Sequence, residues 1–297
     1  MSSINGTASP VAQESQYGYT PHEGIAILFL TLYGISTLLH VAQATYFRMW
    51  WLFPTACLCG IGELVGWSGR LWSSFSPDLG NPYLMQITTT IIAPTPLVAV
   101  NFILLSRIIG RLGPCYSRLT PRLYTRIFLT CDIVALVVQA LGGGIASSSQ
   151  TIATANLGSN IMLGGIVFQF VAICVYTTLG VDFLRHYAAS RPVRALISSS
   201  ERGVLDARLK VMLTALGFST LVLLIRSVYR IVELADGWHG KVITTEVYFN
   251  VLDGGMITLA IFTMNICHPG IFLGSPKGDR EGMLMKQLPG SSASSLA

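Results

Sequence analysis

The stretch VMLTALGFSTLVLLIRSVYRIV, from Val211 to Val232, decides the fold class of this chain. It runs for 22 residues, and only Arg226 and Arg230 within it are charged. A helix needs about 20 predominantly apolar residues to cross the hydrocarbon core of a bilayer, which is about 30 Å thick. The stretch therefore predicts a transmembrane helix that carries two arginines in its interior.

Six more apolar stretches of similar length occur along the chain. They are Gly24–Val41, Trp50–Trp72, Tyr83–Ser106, Ile127–Ala146, Gly158–Val181 and Val247–Cys267. Strands of a transmembrane barrel would alternate apolar and polar residues over about ten positions, whereas these stretches are continuously apolar for about twice that length. The sequence therefore predicts an all-α integral membrane protein with seven transmembrane helices.

The overall composition agrees with a membrane protein. Of the 297 residues, 52% are hydrophobic and 11% are charged, whereas soluble domains have about 25% charged residues. The formal net charge of +5 comes from basic residues beside the ends of the predicted helices, where they determine topology. We therefore expect no nucleic-acid partner.

The basic residues also predict the orientation of the chain, because short cytosolic loops retain Lys and Arg. One set of connections has only Lys241, and we expect Asn5, in the sequon Asn5-Gly6-Thr7, to be glycosylated on that side. The N-terminus is therefore predicted outside and the C-terminus in the cytosol. The basic residues of the predicted cytosolic side are Arg48, Arg107, Arg111, Arg118, Arg122, Arg126, Arg185, Arg191, Arg194, Arg202, Arg208, Lys210, Lys277, Arg280 and Lys286.

Three parts of the chain are predicted. Residues 1–21 form a polar exterior segment without Lys, Arg or an apolar run, so we expect no cleavable signal there. Residues 22–274 form the membrane domain. Residues 275–297 contain Pro, Gly, Ser and scattered charge, a composition typical of a disordered tail.

Ionisable and amide side chains inside the apolar stretches are the candidate site, because each is costly in lipid and normally faces protein, water or a partner. Within each helix the outermost members of the set are seven residues apart, so each helix presents one polar stripe. The set is Glu63 and Arg70, then Asp132 and Gln139, then Arg226, Arg230 and Glu233, then Glu246 and Asp253.

In the predicted orientation, all of these charges except Asp132 fall in the outer half of the bilayer and predict one outward-facing polar cavity. Gln86 and Gln169 lie at depths that join it, and Pro94 with Pro96 predicts a kink that frees backbone carbonyls. The alternative is that the charges are structural ion pairs, such as Glu63 with Arg226 or Arg230 with Asp253. For a single residue both interpretations stay open, whereas charges from several helices at one level favour a site.

A second cluster, at the predicted cytosolic ends, has ligand types that bind transition metals or haem. It comprises His40, Cys57, Cys59, Cys267 and His268. Cysteine also packs as a small apolar residue, and histidine near an interface is often only hydrogen-bonded. We therefore expect neither a metal nor a cofactor. The sequence also lacks a G-x-x-x-x-G-K-[ST] phosphate loop, so we expect no ATP-driven transport.

The order and spacing of these polar residues resemble the fungal lipid-translocating exporter family, the RTA-like proteins named for aminocholesterol resistance, from about Tyr19 to Gly274. Two departures are Trp67, where the family commonly has Tyr, and His22, where a Ser is usual. The matching motifs are Tyr19-x-Pro21, His40, Glu63-x-x-Gly66-x-x-x-Arg70, Tyr83-x-x-Gln86, Ala93-Pro94, Asp132, Gln139-x-x-Gly142-Gly143, Gly165-x-x-x-Gln169, Arg226-x-x-Tyr229-Arg230-x-x-Glu233, Glu246-x-Tyr248, Asp253 and His268-Pro269-Gly270.

The resemblance implies a seven-helix fungal membrane protein that exports or flips sphingoid long-chain bases and related amphiphilic lipids, confers resistance to toxic amphiphiles, or, in one branch, handles porphyrins. It also implies the plasma membrane, with the vacuole or another endomembrane as the alternative. In a translocator, Glu63, Glu246 and Asp253 would receive a cationic head group, while Arg226 and Arg230 keep those acids ionised or bind phosphate.

Two other functions are open from the residues alone. A seven-helix receptor-like sensor or regulator of lipid or xenobiotic stress would use the same cavity, and its topology would be the same. A metal-dependent intramembrane enzyme would need several ligands around an activated water, but only His40 and His268 lie suitably near one face. We therefore expect no enzyme. The expected partners are membrane lipids and an amphiphilic small molecule, and the oligomeric state stays open.

Overall fold

The computed structural model describes residues 17–149, 151–194, 202–237 and 240–274, and every regular element within these ranges is helical. Asn5 and the predicted tail lie outside them. The helices are α1 (Glu23–Tyr46), α2 (Leu58–Phe75), α3 (Gly80–Ile92), α4 (Thr95–Leu112), α5 (Pro121–Ser147), α6 (Ile152–Ala188), α7 (Ala207–Asp236), α8 (Glu246–Phe249), α9 (Met256–Ile266) and α10 (Pro269–Phe272), with 3₁₀ turns at Trp50–Leu52 and Pro114–Tyr116 and π-helical turns at Phe53–Cys57 and Asn250–Gly255.

Six helical segments in the described part of the chain are long and apolar enough to cross a bilayer. The all-helical membrane fold is thus confirmed. The seventh predicted crossing stays a prediction because α2, which has 18 residues, contains Glu63, Arg70 and four glycines and is less apolar than the six segments. Orientation and division into three parts also stay predictions. The six segments are Glu23–Tyr46, Gly80–Leu112, Pro121–Ser147, Ile152–Ala188, Ala207–Asp236 and Glu246–Phe272.

The third predicted span is broken at Ala93-Pro94, between α3 and α4, as the prolines predicted. Proline has no N–H, so Pro94 cannot donate to the carbonyl of Thr90 four residues earlier. A new helix, α4, begins directly after the break, because the N–H groups of Leu97 and Val98 donate to the Pro94 carbonyl at 3.0 and 3.1 Å. The kink therefore leaves the buried backbone carbonyl of Thr90 free to accept from another donor.

Helix α4 forms the centre of the bundle. In the segment that α3 and α4 form together (Gly80–Leu112), 78% of the residues in the most apolar stretch are buried, against 33 to 50% in the other five segments. Helices α5, α6 and α7 pack around α4, and α9 packs between α1 and α7. The N-terminal half of the chain adds α2, which lies between α1 and α3. This arrangement brings α2, α7 and the α8–α9 segment together around one buried polar centre.

Glycines allow the close packing of α5 and α6, as small residues commonly do between membrane helices. A Cβ atom at Gly158 would lie 2.5 Å from the Ala146 nitrogen and 2.6 Å from the Gly142 oxygen. A Cβ at Gly142 would lie 2.6 Å from the Met162 nitrogen. The two backbones therefore leave no room for a side chain at either position.

We expect Gly158→Ala to lower the free energy of unfolding by about 1–3 kcal/mol, the usual range for overpacking. The matched control is Gly164→Ala on the same helix, where a Cβ would meet nothing within 4 Å and the better helix propensity of alanine acts alone. Thermal unfolding of both variants in detergent micelles measures the difference. Equal melting temperatures would contradict this prediction, because they would show that α5 and α6 can move apart at Gly158 without loss of stability.

A π-helical turn interrupts the helical α8–α9 segment at the polar centre, and such turns are frequent at functional sites. The turn Asn250–Gly255 contains Asp253. Beside it, Tyr33 donates from its hydroxyl to the Gly254 carbonyl at 2.9 Å. A Cβ at Gly254 would lie 2.6 Å from the indole ring of Trp67. Glycine at this position therefore lets α2 and its tryptophan approach the turn that carries Asp253.

Candidate functional site

A cluster of buried charges, which we name the central cluster (Glu63, Arg226, Arg230, Glu233 and Asp253), lies between α2, α7 and the α8–α9 segment. Arg230 is its most connected member. Its guanidinium makes two parallel bonds to the Asp253 carboxylate, from Nε to Oδ1 at 2.9 Å and from Nη2 to Oδ2 at 2.6 Å. Its Nη1 donates to Glu233 Oε2 at 2.6 Å. Such bidentate, charge-assisted pairs are among the strongest hydrogen bonds in proteins.

Arg226 reaches the same carboxylate from one turn earlier on α7. Its Nε lies 2.8 Å from Asp253 Oδ1, and its Nη2 donates to the Thr90 carbonyl at 2.6 Å. That carbonyl is the acceptor left over by Pro94. The Thr90 hydroxyl also accepts from Arg230 Nη2 at 2.8 Å. Thr90, beside the kink between α3 and α4, therefore supplies a carbonyl oxygen and a hydroxyl oxygen to the arginines.

Aromatic side chains enclose the arginines and the acids. Tyr229 donates from its hydroxyl to Glu233 Oε1 at 2.7 Å, and the guanidinium carbon of Arg230 lies 5.3 Å from the ring centroid of Phe249. On the other side Trp67 stacks on Phe29, with ring centroids 4.2 Å apart. The cluster is therefore buried and closely packed, and electrostatic interactions within it are little screened by bulk solvent.

Glu63 differs from the other members. Its side chain has no solvent exposure, and neither carboxyl oxygen has a hydrogen-bond partner in the described part of the chain. Asp253, Arg226 and Arg230 are close enough to interact with it electrostatically, but they are bonded to one another instead. The sequence-based pairing of Arg230 with Asp253 is present, whereas the pairing of Glu63 with Arg226 is absent among these contacts.

A second group, the outer layer (Arg70, Glu246, Gln86, Tyr17 and Tyr19), ties the segment before α1 to the bundle. Arg70 Nη2 donates to Glu246 Oε1 at 3.0 Å and to the Tyr19 hydroxyl at 3.1 Å. The Tyr17 hydroxyl donates to Gln86 Oε1 at 2.6 Å. Burial raises the pKa of Tyr17 to about 12, so this hydroxyl stays protonated and keeps its donor role at neutral pH.

The third group, the amide cluster (Asp132, Gln139, Gln169 and Thr95), joins α4, α5 and α6. Gln169 Nε2 donates to Asp132 Oδ1 at 2.7 Å and to Thr95 Oγ1 at 3.3 Å. Gln139 Nε2 donates to Gln169 Oε1 at 3.0 Å. Among the described residues, none of these bonds reaches the arginines of α7. Asp132, Gln139 and Gln169 therefore form a polar contact of their own.

The eleven predicted site residues thus fall into three buried groups instead of lining one open vestibule. Beside Glu233 the described residues enclose a cavity of about 10 Å³, which is about the space of one water molecule. The structure represents a closed arrangement. Our sequence analysis missed Thr90, Tyr17 and Tyr33, and only the Pro94 kink gave a signal for the first of them.

The histidines of the predicted cytosolic cluster are bonded to backbone. His40 Nε2 lies 3.2 Å from the Ile261 carbonyl oxygen, and His268 Nδ1 accepts from the Gly270 N–H at 3.1 Å, so it begins α10. Within the described ranges, no group of three His, Cys, Asp or Glu side chains is placed to hold a metal ion. These contacts give both histidines a structural role.

Comparison with known proteins identifies the family. The family model described as RTA1 like protein matches residues 56–276. The chain is 31% identical to the sphingoid long-chain base transporter RSB1 of Saccharomyces cerevisiae (strain Lalvin EC1118) over 280 residues, which cover 85% of this chain and 73% of the relative. No solved structure matches it.

Two further relatives come from Saccharomyces cerevisiae (strain ATCC 204508 / S288c). Protein RTA1 is 26% identical over 278 residues, covering 85% of this chain and 84% of the relative. Protoporphyrin uptake protein 1 is 24% identical over 296 residues, covering 87% and 92%. The match to the family model spans most of the chain and includes α2 to α10. This multi-pass membrane protein therefore belongs to the RTA1-like family.

Proposed function

We propose that this protein moves amphiphilic lipids with a cationic head group, such as sphingoid long-chain bases, across the bilayer. The observation that carries the proposal is the central cluster itself. Five ionisable side chains from three helical segments are buried together among apolar helices, where each is costly and where apolar residues would often give equal or greater stability. Its acids outnumber its arginines, which favours a cationic ligand over an anionic one.

The relative named as a sphingoid long-chain base transporter supports the same substrate class. Such a base has one ammonium on a hydrocarbon chain. We propose that the ammonium enters the central cluster from the outer layer, after Arg70 and Glu246 separate, while the chain remains in apolar surroundings. Opening at this pair would also release the tyrosines of the N-terminal segment, which are bonded to Arg70 and Gln86.

An apolar cavity of about 320 Å³ offers a place for the hydrocarbon chain. It lies between α4, α6 and α7 and runs along α7 from Leu224 to Leu213, about 16 Å at 1.5 Å per residue. Gly217 forms part of the cavity wall, and its lack of a side chain leaves space inside the cavity. Leu224 and Arg226 are two residues apart and therefore point to different sides of α7. A hydrocarbon chain in this cavity would thus pass around α7 from a head group in the central cluster.

The remaining features of the proposal concern the cell. We propose seven crossings, with α2 as the seventh, an exterior N-terminus and a cytosolic C-terminus, because the basic residues of the connections lie almost entirely on one side. In this orientation the central cluster is in the outer half of the membrane. We propose the plasma membrane as its location and no enzymatic activity, in keeping with relatives whose names describe transport or uptake.

The test is reconstitution of the purified full-length protein in liposomes. Transbilayer movement of a labelled sphingoid long-chain base is compared with that of its N-acylated, uncharged derivative and of a labelled phospholipid. We expect the base to cross faster than in protein-free liposomes and the uncharged derivative to show no such increase. Equal rates with and without protein would overturn the proposal, and tight binding without movement would indicate a sensor.

A further inference from the structure

Glu63 is the one member of the central cluster whose charge is not matched. The cluster contains two arginines and three acids. Arg230 bonds to both Asp253 and Glu233, and Arg226 adds a second ion pair to Asp253. The two positive charges are thus already balanced by two carboxylates, and an ionised Glu63 would leave a net negative charge in the buried interior.

The surroundings of Glu63 provide no substitute for a counter-ion. The indole N–H of Trp67 lies beside it outside hydrogen-bonding geometry, and both carboxyl oxygens are without hydrogen bonds in the part of the chain that the structure describes. A buried carboxyl without a counter-ion takes up a proton rather than remain charged. The titratable, charged or polar groups that face Glu63 are Tyr33 on α1, Cys59 and Trp67 on α2, Arg226 and Arg230 on α7, and Asp253 in the α8–α9 turn.

We propose that Glu63 is the proton-exchange site of this protein. It holds a proton when the site is empty, gives that proton up when the ammonium of an amphiphilic amine enters, and pairs with the ammonium as a carboxylate. The inference rests on the proposed function and specifies its ligand as a singly charged amine. The O–H bond of the Glu63 carboxyl breaks, the proton passes to water, and no covalent bond to the amine forms.

The exchange keeps the cluster electrically neutral in both states. A proton leaves with one positive charge and an ammonium arrives with one, so the arginine–carboxylate pairs are undisturbed. An amine resembling the lysine side chain is protonated at neutral pH, so it brings its own charge. A phosphate head group has the opposite sign and gains nothing from Glu63. Movement of an amine in one direction would therefore be linked to movement of a proton in the other.

Proton release on binding is the direct test. The purified full-length protein in weakly buffered detergent near neutral pH is titrated with a sphingoid long-chain base, and a pH-sensitive dye follows the bulk proton concentration. We expect release of about one proton for each base bound, as linkage between the two ligands requires. The N-acylated base, which has no charge, is expected to release none.

The variant Glu63→Gln is expected to abolish the release and to weaken binding of the base at least about tenfold, because the buried ammonium loses the one carboxylate of the central cluster that no arginine shares. Glutamine has the shape of the protonated acid, so the fold is expected to persist. The matched control is Asp182→Asn, an acid-to-amide change on α6 whose carboxylate pairs with Arg118 at 2.8 Å, and it is expected to release protons as the wild type does.

Infrared difference spectra keep the test independent of the variant's folding. The C=O stretching band of a protonated carboxylic acid is expected in the wild type and is expected to disappear when the base is added. Binding without proton release, or release that persists in Glu63→Gln, would overturn the proton exchange. If the wild type still moves the base in liposomes in that case, the proposed function stands; if it neither binds nor moves the base, both proposals fail.

Discussion

Replacing Arg230 by glutamine is expected to lower the free energy of unfolding by about 3–5 kcal/mol, the usual range when one partner of a buried ion pair is removed. Arg230 is fully buried and bonds to Asp253 through two atoms and to Glu233 through a third. Glutamine cannot replace these contacts, so two carboxylates would face each other with only Arg226 nearby. Thermal and denaturant unfolding in detergent measure the loss.

Two matched variants separate this effect from a general loss of positive charge. Arg118→Gln removes an arginine from an exposed pair with Asp182 and is expected to change stability little. The double variant Arg230→Gln with Glu233→Gln removes one charge of each sign and is expected to recover part of the loss. Equal effects of Arg230→Gln and Arg118→Gln would contradict the view that Arg230 organises the cluster.

Asp253→Asn is expected to reduce movement of a sphingoid long-chain base at least about a hundredfold. Asp253 separates Arg226 from Arg230, and asparagine would leave the cluster with an excess positive charge, provided that Glu63 is neutral. Like charges placed together cost several kcal/mol, and about 2.7 kcal/mol corresponds to a factor of 100. The measurement is the initial rate in proteoliposomes, corrected for the amount of folded protein.

The control for this variant is again Asp182→Asn, which removes a carboxylate outside the cluster and is expected to keep the wild-type rate. Size-exclusion elution and melting temperature show whether Asp253→Asn remains folded, because it also leaves two arginines short of an acceptor. A folded Asp253→Asn protein that moves the base at the wild-type rate would contradict the role of the central cluster.

Much of the architecture was predictable from the apolar runs, because the bilayer sets their length. Each run of about 20 residues became a helix or a pair of helices, and the Ala93-Pro94 break appeared where proline lacks its donor. Helix α2 formed as predicted, but it is less apolar than the other membrane helices. Glu63, Arg70 and its glycines lower its apolar character. These residues lie where α2 packs against α1 and α3 and contributes to the buried centre.

On α2 and the α8–α9 segment, the division into an outer layer and the central cluster follows from spacing that was visible in the sequence. Residues seven apart share a helix face but differ in depth by about 10 Å, at 1.5 Å per residue. Arg70 and Glu246 meet in the outer layer, while Glu63 and Asp253 meet one layer deeper, as expected for helices that run in opposite directions. Which helices would face each other could not be deduced, since helix rotation depends on packing throughout the bundle.

The closed state of the site was not predictable either. Intramembrane charges indicate a polar centre, but the sequence does not tell whether water or side chains fill it. Here the Trp67 ring and the oxygens of Thr90 fill it, and the glycine at position 254 allows the close approach. The unpaired carboxyl of Glu63 likewise became visible only once the partners of both arginines were known.

Photo-crosslinking tests most directly whether the head group enters the central cluster. A sphingoid long-chain base with a photoreactive group beside its amine is bound to the full-length protein in liposomes, irradiated, and mapped by mass spectrometry. We predict labelled peptides that contain Glu63, the Arg226–Arg230 segment and Asp253, with labelling suppressed by excess unlabelled base. Labelling confined to exposed apolar residues such as Leu38 or Leu141, and unaffected by unlabelled base, would contradict a head-group site in the central cluster.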